Sequence, residues 1–82
     1  MKILVVEDDL TIQTQLKNLL SGNGYEVGIV TDFSKVIEQL KDFAPHLVLL
    51  DIKLPGNNGF EICSQIRSFS DIPIVFVTSS NT

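Results

Sequence analysis

The segment Ile3-Leu4-Val5-Val6-Glu7-Asp8-Asp9 decides how this chain is read. Four consecutive apolar residues, rich in β-branched types, follow Lys2 and stop at three carboxylates. A run that is apolar at every position, rather than at alternate ones, has the pattern of a parallel strand buried on both faces. From Leu10 the period becomes helical: Ile12, Leu16, Leu19 and Leu20 share one face, with Gln13, Gln15 and Lys17 off it. Asp8 or Asp9 can cap that helix, and Gly22 and Gly24 supply its stop.

The same alternation continues down the chain. Tyr25 to Val30 reads as a second strand, and Ser34 to Phe43 as a helix with Phe33, Val36, Ile37 and Leu40 as its apolar stripe. Ala44-Pro45 ends that helix, because proline disfavours helical geometry in the residue before it. Leu47 to Leu50 is again an all-apolar run, halted by Asp51. Residues 52–58 carry Pro55, Gly56 and Asn57 and read as a loop. Helical spacing resumes with Phe60, Cys63 and Ile66, with Ile62 alongside, and Ile74 to Val77 is a fourth strand ending at Thr78. The order βαβαβαβ predicts an α/β fold, a doubly wound parallel sheet with right-handed crossovers and helices on both faces.

Composition narrows the function. The 82 residues hold ten Asp/Glu against six Lys/Arg, a net charge of −4, with 44% hydrophobic and 20% charged residues. That balance is globular rather than disordered, and no basic run exists to neutralise nucleic-acid phosphates. No apolar run is long enough for a membrane span or a secretory signal, which leaves a cytoplasmic protein as the expectation. One Cys and one His exclude an internal disulfide and a Cys/His metal cage. Cys63 and Phe33, Phe43, Phe60 and Phe76 read as core, and His46 as a turn residue. Setting Glu7, Asp8, Asp9 and Asp51 aside leaves six acidic residues against six basic ones, so the net charge equals that of two short places.

Those places coincide in a parallel sheet, whose ligands bind beyond the carboxyl ends of the strands. Glu7-Asp8-Asp9, Asp51 and Thr78-Ser79 all fall at that edge. Gathered carboxylates repel one another unless a cation lies among them, and Mg²⁺ takes hard oxygen ligands. A carboxylate is also a nucleophile toward phosphorus. Metal-dependent phosphate chemistry is one reading of these residues; helix caps and a strand terminator is the plainer one. No Gly-rich phosphate loop follows the first strand, which argues against a nucleotide-binding enzyme.

Taken in order, Ile3 to Asp9, Leu47 to Asp51, Leu54-Pro55 with Gly59, and Pro73 to Thr78 resemble the receiver domain of two-component response regulators. The match runs from Met1 to about Thr78, and the Val-Glu-Asp-Asp opening is most similar to regulators with a C-terminal winged-helix DNA-binding domain. The resemblance implies a flavodoxin-like fold and a signalling module rather than an enzyme. It implies that Asp51 accepts a phosphoryl group from a sensor histidine kinase, in a Mg²⁺-dependent reaction that controls transcription. Asp8 would be a direct metal ligand, Glu7 would act through water, and Asp51 and the Lys53 main-chain carbonyl would complete the set. Thr78 would be the switch hydroxyl, Ser79 would leave phosphoryl access open, and Lys53 and Ser80 match positions that tune phosphoaspartate lifetime. Asp9 matches a variable position and is read as a helix-start charge.

The pattern also departs from that family. No Lys follows position 53, and the sequence stops just after the fourth strand, before the family's fifth strand, its flanking helices and any effector domain. Residues 1–82 are therefore expected to be a partial receiver with no direct nucleic-acid binding or membrane contact. An apolar edge strand and an uncovered sheet face would favour a homodimer, by edge pairing, helix burial or segment exchange. The alternative function is an interaction-only fragment unable to switch.

Overall fold

The computed structural model describes residues 1–51, 53–54 and 57–77, with 53–54 and 57–58 described by backbone alone. Its elements are β1 (Lys2–Val6), α1 (Leu10–Gly22), β2 (Glu26–Val30), a 3₁₀ turn (Phe33–Lys35) running into α2 (Val36–Phe43), β3 (Leu47–Asp51), β4 (Lys53–Leu54), β5 (Asn57–Asn58), α3 (Gly59–Arg67) and β6 (Ile74–Val77). Four strands form one parallel sheet in the order β2-β1-β3-β6, the flavodoxin-like arrangement.

Both faces of this sheet are covered, which is why Ile3 to Val6 in β1 and Leu47 to Leu50 in β3 are apolar at every position. Leu4, Val6, Val30, Val48 and Leu50 point to one side and pack with Val36 and Leu40 of α2 and Ile62 and Ile66 of α3. Ile3, Val5 and Leu49 point to the other and meet Leu16 and Leu20 of α1. Each such side chain contributes roughly 1.5–3 kcal/mol by leaving water. Cys63 packs against the first of these clusters.

Several expectations need correction. The buried face of α1 is rotated: Leu19 is 61% exposed, whereas Gln13 is buried. At about 100° per residue, Gln13 lies beside Leu20 on the helix circumference, so the inward arc runs through Ile12, Leu16, Leu20 and Gln13. Phe60 is not core; it is 58% exposed and lies against Phe76 with ring centroids 5.0 Å apart. Two positions from Ile62, it falls on the far side of α3 once Ile62 and Ile66 turn inward. Residues 53–58 are not wholly loop, because Lys53–Leu54 pairs antiparallel with Asn57–Asn58. Tyr25 precedes β2 and is exposed, and the helix expected from Ser34 begins as the 3₁₀ turn, capped where the Asp32 carboxylate accepts from the Ser34 N–H (3.1 Å) and hydroxyl (2.7 Å).

The turns that aim the site are local. Asp9 is the N-cap of α1, its Oδ1 accepting from the backbone N–H of Thr11 (2.8 Å) and Ile12 (3.1 Å). After α1 the chain reverses through Gly24 at φ +88°, a left-handed conformation that glycine adopts without penalty. Ala44 closes α2 in the left-handed region, donating its N–H to the Leu40 carbonyl at 2.9 Å. His46 ties the opposite edge of the sheet, its Nδ1 accepting from the Lys2 N–H at 2.9 Å.

Candidate functional site

The register of β1 on β3 creates the site. Val6 pairs with Leu50, so the next residues, Glu7 just past β1 and Asp51 at the last position of β3, stand at the same level and on the same face. Both side chains are fully buried, whereas Asp8 is exposed. One carboxylate oxygen from each of Glu7, Asp8 and Asp51 lies within 4.8 Å of the others.

Two acids buried side by side cannot both carry full charge cheaply. Burial, a hydrogen bond with the Asp51 side chain and the Asp51 charge together raise the Glu7 carboxyl to about 8, against the opposing pull of the Asp8 and Asp9 backbone N–H groups. Glu7 Oε2 accepts the Asp8 N–H at 3.0 Å. Its other oxygen, Oε1, is buried and accepts no hydrogen bond from the described residues. An orphaned buried acceptor beside two further carboxylates is a donor set of hard oxygens, and it fits a hard divalent cation entering from the exposed Asp8 side.

Asp9 belongs to the helix rather than to this group, since its carboxylate is committed to the α1 cap. Lys53 stands in β4, two residues beyond Asp51. Thr78, Ser79 and Ser80 lie outside the described residues. One participant escaped the sequence reading altogether. Gln13, placed there on the polar side of α1, is buried and donates its side-chain Nε2–H to the Glu7 carbonyl. A glutamine one position from an apolar stripe carries no sequence signal of this kind.

Fold and site define a doubly wound α/β domain with an acidic, cation-ready cluster at the carboxyl edge of its central strands. The chain belongs to the response regulator receiver domain family, which matches residues 3–82. It is 44% identical over 78 residues to the sensory transduction protein BceR of Halalkalibacterium halodurans, covering 95% of this chain and 34% of that protein. It is 38% identical over 78 residues to the DNA-binding response regulator MtrA of Mycolicibacterium smegmatis, with the same coverage. The chain thus spans about a third of the length of the curated relatives it matches. Among solved structures, the BeF3-activated N-terminal receiver domain of Klebsiella pneumoniae RstA superposes with a TM-score of 0.91 at 34% identity, covering all of this chain and 70% of that one. A chain from the complex of histidine kinase ThkA with response regulator protein TrrA gives 0.87 at 32% identity, covering 99% of this chain and 71% of that one. No helix among the described residues is long and apolar enough to cross a membrane.

Proposed function

We propose that this chain is the phosphoacceptor module of a two-component pathway, with Asp51 as the residue phosphorylated. The observation that carries the reading is the convergence of Asp51, Glu7 and Asp8 at the sheet edge. An Asp51 carboxylate oxygen forms the new bond to phosphorus while the bond from phosphorus to the donor's imidazole nitrogen breaks and the imidazole departs. Burial strips Asp51 of competing water, and the β3 strand end fixes its direction of attack. Mg²⁺ held by Asp8, Asp51, the Lys53 main-chain carbonyl and, through water, Glu7 would neutralise the phosphoryl oxygens as their charge spreads.

Thr78 would supply the switch hydroxyl, with small Ser79 beside it leaving the phosphoryl path open and Lys53 and Ser80 tuning phosphoaspartate lifetime. Support comes from β6: Val77, the residue before Thr78, pairs with Asp51 in the parallel register. The donor is a sensor histidine kinase, in line with the kinase complex of the structural relative. The output is transcriptional and cytoplasmic, exerted by a winged-helix DNA-binding domain of the longer protein, in line with the DNA-binding relatives. With a net charge of −4, residues 1–82 do not bind nucleic acid themselves.

The test is intact-protein mass after incubation with a small acyl phosphate and Mg²⁺. A single phosphoryl adduct that vanishes in Asp51→Asn supports the assignment; no adduct under any Mg²⁺ condition rejects it in favour of an interaction-only module. Self-association is part of the same reading, because β6 has one strand neighbour in the sheet order and Val75 on it is 47% exposed. A monomeric mass by light scattering at micromolar concentration, with cooperative unfolding, would overturn the dimer.

A further inference from the structure

We infer that Gln13 is a positioning residue of the acidic site: its buried amide fixes the peptide unit between Glu7 and Asp8. Both ends of that one peptide are held. Its carbonyl, on Glu7, accepts from Gln13 Nε2–H, and its N–H, on Asp8, donates to Glu7 Oε2 at 3.0 Å. Rotation of the peptide plane would break both bonds at once and swing the two carboxylates that flank it.

The anchor itself cannot move far. Gln13 is buried on the inward arc of α1, and its own backbone N–H donates to the Asp9 carbonyl at 2.9 Å. Asp9 is in turn fixed as the N-cap of the same helix. The Glu7–Asp8–Asp9 segment is therefore clamped between the end of β1 and the first turns of α1, with the Gln13 side chain as a second link from α1 besides its cap. Leaving the Glu7 carbonyl without this donor in a buried setting would cost its hydrogen bond outright. Residues that orient metal-binding side chains without touching the ion typically alter metal affinity about 10- to 100-fold when replaced.

This inference rests on the proposed Mg²⁺ and phosphoacceptor reading, and the experiment separates the two. Mg²⁺ is titrated calorimetrically into the wild-type chain, Gln13→Met, which keeps length without the donor, and Gln13→Lys, which restores one. Backbone amide shifts of Asp8 and the melting temperature in metal-free buffer are recorded for each. The expected result is Mg²⁺ affinity at least about tenfold weaker in Gln13→Met, recovered in part in Gln13→Lys, with the Asp8 amide displaced only in Gln13→Met. Equal affinity in wild type and Gln13→Met overturns the role of Gln13 while leaving the site reading intact. Absence of Mg²⁺ binding by the wild type overturns both. Should Gln13→Met fail to fold, Gln13→Glu is read in its place, since it keeps length and polarity but turns the donor into an acceptor; wild-type affinity there overturns the inference.

Discussion

Glu7 and Asp51 are both acids, yet they face each other across neighbouring strand ends, fully buried and joined by a hydrogen bond. Burial first, and then that hydrogen bond and the Asp51 charge, hold the Glu7 carboxyl up to about 8.

The first prediction concerns pH. Glu7 titrates at about 8 in the fold against 4.5 as its ordinary value, so the native state binds more protons than the unfolded chain between those limits. Its stabilising contribution is fully present below the lower value and is lost as pH rises through the upper one. Urea midpoints in metal-free buffer should fall from about pH 5 to about pH 8, and the slope should flatten in Asp51→Asn, which removes the repelling charge.

Magnesium should reverse that loss. Binding to the native cluster alone should raise the melting temperature in millimolar Mg²⁺ and displace the proton held by Glu7. Affinity should therefore be greater at about pH 8 than at about pH 6, with proton release visible as a dependence of binding heat on buffer ionisation. An unchanged melting temperature would count against a working pocket.

Asp9 separates structure from chemistry within one acidic run. Asp9→Ala should cost about 1 kcal/mol by removing the two cap bonds, and Asp9→Asn only a few tenths. Neither should change the Mg²⁺ affinity more than about twofold, whereas Asp8→Ala should abolish it.

The aromatic pair at α3 offers a packing test. Ile66→Ala should cost about 2–5 kcal/mol, since Ile66 is fully buried. Phe60→Ala should cost far less, and a double-mutant cycle with Phe76→Ala should return a coupling of about 0.5–1.5 kcal/mol from the ring contact alone. Denaturant midpoints of the wild type, the three single variants and the double variant decide it.

Much of this was legible in the residues. Continuous apolar runs at Ile3 to Val6 and Leu47 to Leu50 have the pattern of strands covered on both faces, and the structure covers them so. The acidic stops of those runs identify the sheet edge, because charge cannot continue into a doubly covered sheet. Phe60, Leu19 and Gln13 depart from their residue-type expectation for one reason. Hydrophobicity says that a side chain prefers burial, but the angle at which a helix seats on the sheet decides which side chains are buried. At α1 that angle puts a leucine in water and a glutamine inside.

The sequence by itself determined the order of the four sheet strands and the helices between them, and the identity of the acids, because both depend on residue type and local period. Only the tertiary structure decided that Val6 pairs with Leu50, and hence that Glu7 and Asp51 meet at one level with Asp8 beside them. Register between strands far apart in sequence is set by how two covered faces pack together, and no local pattern encodes that distance.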